Sequence, residues 1–322
     1  MLLTPILVAL ATAFTGQSST PAQTPSPTAT PASSPSLSPS PTPTPFPSPD
    51  AAAIAVEADE HFARRSIGGI DEVANKQEVD AAIDGYKKAL AMAPNDIDIL
   101  ARLMRALHFR GAYTGADVEE KKAIFDEGRK RGQEAVDRLE AEAKAARGLS
   151  RIEFLRLVKG TPALYLWTAG HWGEWGLAKG KFSAARSGVA SRLRDLAQTV
   201  IDLDPLYEDA AGYRLLGRLH SEAPKILFIT GWVSHDKGVQ YLRRAYQIAP
   251  HNPVTDNFLA EAILDHEPEK REEALKLLEE CAALTPRPGN AFEDERYIRD
   301  ARLKLEQLRG LPEKETLRSS CP

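Results

Sequence analysis

An aromatic run near the middle of the chain offers the best candidate for a ligand site. At about 100° per residue, a helix would carry Leu164, Trp167, His171 and Trp175 on one face. Aromatic walls around one titratable group are typical of pockets for small apolar or amphipathic molecules. The same stripe is typical of a packed core in which the histidine bonds a carbonyl group. Both interpretations stay open.

The flanking residues extend this candidate pocket. Tyr165 and Trp172 fall near the edge of the stripe. Gly170, Gly173 and Gly176 would leave open space beside the rings. We therefore expect the pocket interpretation to involve Tyr165, Trp167, His171, Trp172 and Trp175.

Catalytic and metal chemistry have little support in the sequence. None of the seven histidines lies four residues from another, which is the spacing of a helical metal site. No serine sits in a nucleophile elbow, and neither Cys281 nor Cys321 has an evident histidine partner. The prediction is a non-enzymatic protein without cofactor or metal. An enzyme that uses His171 and Glu174 is the alternative.

Four helix-like segments that would position these residues end in nearly the same way. Each has a proline preceded by a small residue five positions earlier and an apolar residue two positions earlier. The prolines are Pro94, Pro205, Pro250 and Pro286, and the small residues are Ala89, Val200, Ala245 and Cys281. This pattern is typical of tetratricopeptide-type helical hairpins, in which the small residue allows close approach and proline ends the helix.

No segment alternates apolar and polar residues as a strand would, so the predicted class is all-α. These four helix ends, called proline closures below, are unequally spaced along the chain, which predicts degenerate hairpins in a compact irregular solenoid. A helix from 118 to 144 contains Gly128 and Gly132, and close helix packing would explain them. A single helix is expected from 184 to 203.

The apolar segment from Ala223 to Ser234 interrupts the hairpins between two of the closures. It is too short to span a membrane, and its glycine favours a buried connection or a short helix. Trp232 lies in this segment and joins the predicted ligand pocket.

The two ends of the chain differ from the middle in composition. Residues 1–20 begin with an apolar stretch and small residues typical of an export signal, which predicts a periplasmic or cell-envelope location. Residues 21–50 are rich in Pro, Ser and Thr and predict a disordered linker, acting either as a spacer or as a tail without a task. No cysteine follows the apolar stretch, so a lipid anchor is not expected.

The predicted helical-repeat domain covers residues 51–310, and a flexible tail covers 311–322. The chain has 41 Lys and Arg against 45 Asp and Glu, and no basic stripe marks nucleic acid as a partner.

Several segments, taken in order, resemble the T-component family associated with TRAP transporters. They are Ala163 to Gly170 (ALYLWTAG), Val200 to Tyr207 (VIDLDPLY), Gly212 to His220 (GYRLLGRLH), Pro224 and Tyr241 to Pro250 (YLRRAYQIAP). The resemblance covers about residues 51–284 and depends on the order of the segments.

The resemblance implies a non-enzymatic periplasmic accessory protein that trimerises and presents a cavity to a solute-binding protein of a TRAP transporter. It implies that Tyr213 and Arg214 line or support that cavity together with the aromatic run, which could take a small apolar or carboxylate ligand. The alternative is a generic tetratricopeptide scaffold for protein–protein interactions in the envelope.

Overall fold

The protein is all-α across the part of the chain that the computed structural model describes, residues 49–69 and 73–310. The helices are α1 (Pro49–Ala63), α2 (Lys76–Met92), α3 (Ile97–Tyr113), α4 (Val118–Ala145), α5 (Arg151–Leu157), α6 (Thr161–Ala178), α7 (Lys181–Arg186), α8 (Val189–Leu203), α9 (Tyr207–Glu222), α10 (His235–Ile248), α11 (Pro253–His266), α12 (Arg271–Ala282) and α13 (Ala291–Gly310). A 3₁₀ turn, Pro268–Lys270, precedes α12. The predicted class is confirmed.

Polar side chains begin many of these helices. Asn75, Asp96 and Asp117 accept hydrogen bonds from backbone N–H groups in the first turns of α2, α3 and α4. Ser150 and Glu153 form a reciprocal capping box at the start of α5. Each cap satisfies N–H groups that have no partner within the helix, and so fixes where the helix begins.

The proline closures act as the sequence predicts. Helices α2, α8 and α10 each end two residues before their proline, and α12 ends four residues before Pro286. The four small residues, Ala89, Val200, Ala245 and Cys281, are fully buried. A larger side chain at any of them would push apart the two helices of a hairpin.

Most consecutive helices pack against each other, which gives a compact solenoid of helical hairpins. Buried apolar residues form two clusters, one within α1 to α9 and the other within α10 to α13. The regular order is broken at α6, which packs against α3, α4 and α8 together. The irregular part of the solenoid is therefore built around α6.

Two local predictions are wrong. The single helix expected over 184–203 is broken into α7 and α8 at Gly188, whose φ of 77° is left-handed and suits glycine. The segment from Ala223 to Ser234 is not a buried connection, because its turns expose Leu227, Phe228 and Ile229 to solvent. Thr230 and Val233 are the parts of this segment that are buried.

The predicted helical-repeat domain corresponds to helices α1 to α13, although α1 begins at Pro49, inside the predicted linker. The export-signal segment (1–20), the linker up to residue 48 and the tail (311–322) lie outside the described residues. Within those residues, none of the helices combines the length and the apolar character needed to cross a membrane.

Candidate binding cleft

The predicted stripe of α6 does not face one pocket, because neighbouring helices surround α6. Trp167 and His171 are buried against His108 of α3, with ring centroids 5.3 and 5.7 Å from that histidine. Nε2–H of His171 donates to the carbonyl oxygen of Met104 at 2.9 Å. Burial lowers the pKa of His171 to about 4, so its ring is neutral near pH 7.

The glycines of α4 allow this close approach. A Cβ at Gly128 would overlap the ring of His171, and a Cβ at Gly132 would overlap the hydroxyl of Thr168. Helices α4 and α6 therefore interlock, and the predicted packing role of these glycines is confirmed. Because glycine has no side chain, these two positions on α4 leave space for the side chains of α6.

On the outer side of α6, tryptophans lie beside cations. The guanidinium of Arg129 lies 4.0 Å from the Trp175 ring centroid and 4.9 Å from that of Trp172. Lys179 Nζ lies 4.0 Å from the Trp175 ring centroid, and the Arg192 guanidinium lies 4.8 Å from that of Trp172. Cations held over aromatic faces at these distances are attracted to the ring quadrupole.

A cleft of about 350 Å³ opens between α4, α5, α6 and α8. Its lining combines apolar residues with hydroxyl, amide and charged groups. The lining residues are Gln133, Val136, Glu140, Arg151, Tyr165, Gly188, Ser191, Arg192, Asp195, Leu196 and Thr199. This volume is within the range of pockets for small ligands or for one or two side chains of a bound chain.

One wall of the cleft is a connected polar network. The Tyr165 hydroxyl donates to Glu140 at 2.5 Å, and Arg151 donates to both oxygens of Glu140. Arg151 also donates to the Thr199 hydroxyl at 2.9 Å. Although burial raises the pKa of Glu140, the hydrogen bonds from Arg151 and Tyr165 hold it below its ordinary value. This wall is ionised and rigid near pH 7, since each group already has a partner.

The opposite rim presents a cation without a partner acid. Arg192 is exposed, and among the described residues no hydrogen bond or ion pair to its guanidinium is found; it contacts the Trp172 ring. The Trp172 indole is fixed in turn by donation from Nε1–H to Gln133 at 3.2 Å. A guanidinium positioned in this way can donate two parallel hydrogen bonds to a carboxylate.

The other predicted pocket residues lie elsewhere. Arg214 is buried and donates to the backbone carbonyls of Glu208 (3.1 Å) and Asp209 (2.8 Å). Burial lowers its pKa to about 10, which keeps it charged at neutral pH. Glu208, Asp209 and Ala210 have φ between 49 and 62°, a left-handed turn that costs energy for residues other than glycine. Arg214 therefore supports a strained turn.

Tyr213 and Trp232 are also far from a common pocket with the α6 residues. Tyr213 is half-buried with its ring 6.3 Å from that of Tyr241, and Trp232 packs edge-on against His220 at 5.3 Å. Of the eight predicted residues, Tyr165 lines the 350 Å³ cleft, while Trp172 and its partner Arg192 stand at its rim.

Sequence reasoning missed Glu140, Arg151, Ser191, Arg192 and Thr199. They come from three helices and have no motif spacing, so only the packing of α4, α5 and α8 brings them together. The described residues contain no group of three or more His, Cys, Asp or Glu side chains arranged to hold a metal ion.

Comparisons with known proteins add little about identity. No family model matches the chain, and none of the curated proteins matches it. It is similar in structure to TTC0263, a thermophilic TPR protein of Thermus thermophilus, with 15% identity, a TM-score of 0.46 and coverage of 81% of this chain and 100% of that one. It is also similar to yeast Tom70, with 15% identity, a TM-score of 0.26 and coverage of 84% and 68%.

At these scores the likeness adds no argument to the packing of the helices. Neither protein is described as a T-component, and that resemblance stays a prediction. The molecule is a solenoid of stacked helical hairpins with a polar cleft beside its central helix α6.

Proposed function

We propose that the protein is a non-enzymatic scaffold that binds a segment of a partner protein in the cleft between α4, α5, α6 and α8. The observation that carries the proposal is Arg192, an exposed guanidinium held at the cleft rim by Trp172. A carboxylate of the partner, from Asp, Glu or a chain terminus, would pair with Arg192.

The lining fits such a segment better than it fits catalysis. Val136 and Leu196 offer apolar surface, and Ser191 offers a hydroxyl beside the cation. The acidic wall at Glu140 is already neutralised by Arg151, so it does not repel an incoming carboxylate as a free acid would. Binding through one charged anchor and nearby apolar contacts is typical of peptide recognition.

A peptide array tests this proposal directly. The full chain, fluorescently labelled, is incubated with arrayed peptides that are random in sequence, and we expect bound peptides to be enriched in acidic residues. Arg192→Gln removes the charge and should weaken binding of the selected peptides by about tenfold or more, as for loss of a charge-assisted bidentate pair. Arg244→Gln, an exposed arginine on α10, is the matched control and should bind as the wild type does.

The proposal fails if no peptide binds. It also fails if Arg192→Gln and Arg244→Gln retain the same peptides at the same affinity. Salt should weaken the wild-type interaction because an exposed charge pair is screened.

The finer proposal concerns the partner and the compartment. From the T-component resemblance, the partner would be a periplasmic solute-binding protein of a TRAP transporter, and this chain would act as a homotrimer in the periplasm or cell envelope. Crosslinking in intact cells followed by mass spectrometry should then recover such a protein with the full chain. Recovery of other envelope proteins instead would support the generic scaffold, and light scattering of the full chain would test the trimer.

A further inference from the structure

The loop between α9 and α10 exposes three consecutive apolar side chains. The exposed fractions are 74% for Leu227, 96% for Phe228 and 39% for Ile229. Burying apolar surface is favourable, so a phenylalanine that is almost wholly exposed to water gives up free energy that burial would provide. The neighbouring hairpin connections of the C-terminal cluster do not carry such a tip.

The loop is built to hold this tip outward. The hydroxyl of Thr230, itself 1% exposed, donates to the carbonyl of Pro224 at 2.5 Å and accepts from the N–H of Ile226 at 2.9 Å. Phe228 has a φ of 63°, in the left-handed region that is strained for an aromatic residue. The exposure of the tip is therefore a fixed property of a closed loop.

Helix α7 lies beside the base of the loop and adds a second exposed aromatic side chain. Lys181 pairs with Glu222 at 2.5 Å, and a groove of about 50 Å³ joins α7 and α8 to Ala223 and Pro224. Phe182, next to Lys181, is 67% exposed. At the other side of the loop, the Arg194 guanidinium lies 4.6 Å from the Trp232 ring centroid.

The segments that form this part of the surface carry more basic than acidic residues. Residues 179–194 and 223–235 contain six cations and no Asp or Glu, although the whole chain has more acids than bases. Two of these cations, Lys181 and Arg194, are paired with the flanking acids Glu222 and Asp195, which leaves four without an ion-pair partner among the described residues. The packing thus collects basic segments that are separate in the sequence. The six cations are Lys179, Lys181, Arg186, Arg192, Arg194 and Lys225.

We infer that α7 and the loop from Ala223 to Ser234 form a face that docks on an anionic lipid bilayer. Leu227 and Phe228 would enter the boundary between headgroups and acyl chains, and the cations around them would contact lipid phosphates. Protruding apolar side chains on segments rich in Lys and Arg are suited to a deformable anionic surface.

Vesicle sedimentation with the full chain tests the inference. The wild type should sediment with vesicles of phosphatidylcholine that contain phosphatidylglycerol at low ionic strength. It should bind phosphatidylcholine vesicles at least about tenfold more weakly, because attraction to anionic headgroups is lost. Leu227→Ser with Phe228→Asn should weaken binding by about tenfold or more, since two apolar anchors are removed and Asn tolerates the left-handed φ.

Two further variants separate the contributions. Lys179→Glu with Arg186→Glu should weaken binding by about tenfold or more and reduce the salt dependence. Val56→Ser, on α1, removes an apolar side chain that is 56% exposed and distant along the chain, and it should bind as the wild type does. Each variant should unfold at the wild-type denaturant midpoint, which excludes misfolding as the cause.

The inference is overturned if the wild type does not sediment with the anionic vesicles, in which case the loop is a contact for a protein. It is also overturned if the loop variant and Val56→Ser bind equally. The loop variant should still bind acidic peptides in the cleft, so failure of lipid docking and failure of the proposed function are distinguishable.

Discussion

Helices α6 and α11 are each enclosed by their neighbours, yet they are stabilised in different ways. Helix α6 lies among α3, α4 and α8, whereas α11 lies among α9, α10, α12 and α13. Most of the buried positions along α6 hold aromatic residues, aliphatic residues or glycine. Along α11 they include Thr255, Asp256 and Asn257 in immediate succession.

The α11 region depends on polar partners. The Asn257 amide donates to the carbonyls of Pro253 (2.8 Å) and Tyr297 (2.9 Å), which joins α11 to α13. Asp256 is 1% exposed, and neither of its carboxyl oxygens accepts a hydrogen bond from the described residues. The comparison indicates that α6 is fixed mainly by shape and α11 mainly by polar groups. Changes in volume should therefore act chiefly on α6, and the two helices should respond to pH with opposite signs.

The largest expected effect is the pH dependence at Asp256. Burial is the main cause that raises its pKa to about 7, far above that of an unfolded aspartate. The folded state therefore binds a proton that the unfolded state has released, and stability falls as pH rises from about 4 to about 7. The fall is on the order of 4 kcal/mol from a shift of about three pKa units. Asp256→Asn should remove this dependence of stability on pH.

Denaturant titrations of Asp256→Asn and the wild type at several pH values check the prediction. The variant should be the more stable protein above pH 7 and lose its advantage towards pH 4. Asp236→Asn, at an exposed position on α10, is the control and should show no such trend. A difference between Asp256→Asn and the wild type that is constant with pH would contradict this account.

His171 on α6 should respond to pH with the opposite sign. Burial lowers its pKa to about 4, and burial with the nearby His171 lowers that of His108 as well. The unfolded histidine binds a proton below about pH 6.5 that the folded one refuses, so stability falls as pH drops from 6.5 to 4. The loss at His171 is roughly 3 kcal/mol. In His171→Leu the unfolding free energy should fall less steeply between pH 6.5 and pH 4 than in the wild type. An unchanged slope would show that the ring is hydrated in the folded state.

Much of the fold could be predicted from the sequence because the proline closures act locally. A proline ends its own helix, and a small residue five positions earlier marks the contact with the partner helix, so the ends of α2, α8 and α10 could be predicted. The break between α7 and α8 was missed, since Gly188 stands in a pattern that otherwise predicts a continuous helix. The exposed tip at Phe228 was missed because apolar sequence favours burial.

The cleft could not be predicted in the same way. Tyr165 and Trp172 were identified as aromatic residues near the edge of the stripe, but their partners Glu140 and Arg192 come from α4 and α8. No spacing links residues on separate helices, and charged residues such as these resemble any solvated helix face. The packing of α4 and α8 around α6 is what gives them a role.

The interlock of α4 and α6 predicts a moderate loss of stability from one added methyl group. Gly128→Ala places a Cβ against the His171 ring, and overpacking should cost about 1–3 kcal/mol, which a gain in helix propensity of about 1 kcal/mol offsets only in part. His171→Ala in the same chain opens space for that methyl group. The double variant should therefore lose less stability than the two single variants lose together, by about 0.5–3 kcal/mol in a double-mutant cycle. Additive losses would mean that the two residues do not touch.

The smallest expected effect is at the cleft rim, where Arg192→Gln should change the unfolding free energy by only about 0.5–1 kcal/mol. Arg192 is exposed and gains its attraction from the face of Trp172, a contact of that order. Urea titration of the variant beside Gly128→Ala measures both on one scale. If Arg192→Gln lost as much stability as Gly128→Ala, Arg192 would belong to the packing around α6. Its unpaired charge would then give no reason to assign a carboxylate to the cleft. A small effect of Arg192→Gln on stability together with weakened peptide binding would show that Arg192 acts in binding and not in the packing of the interior.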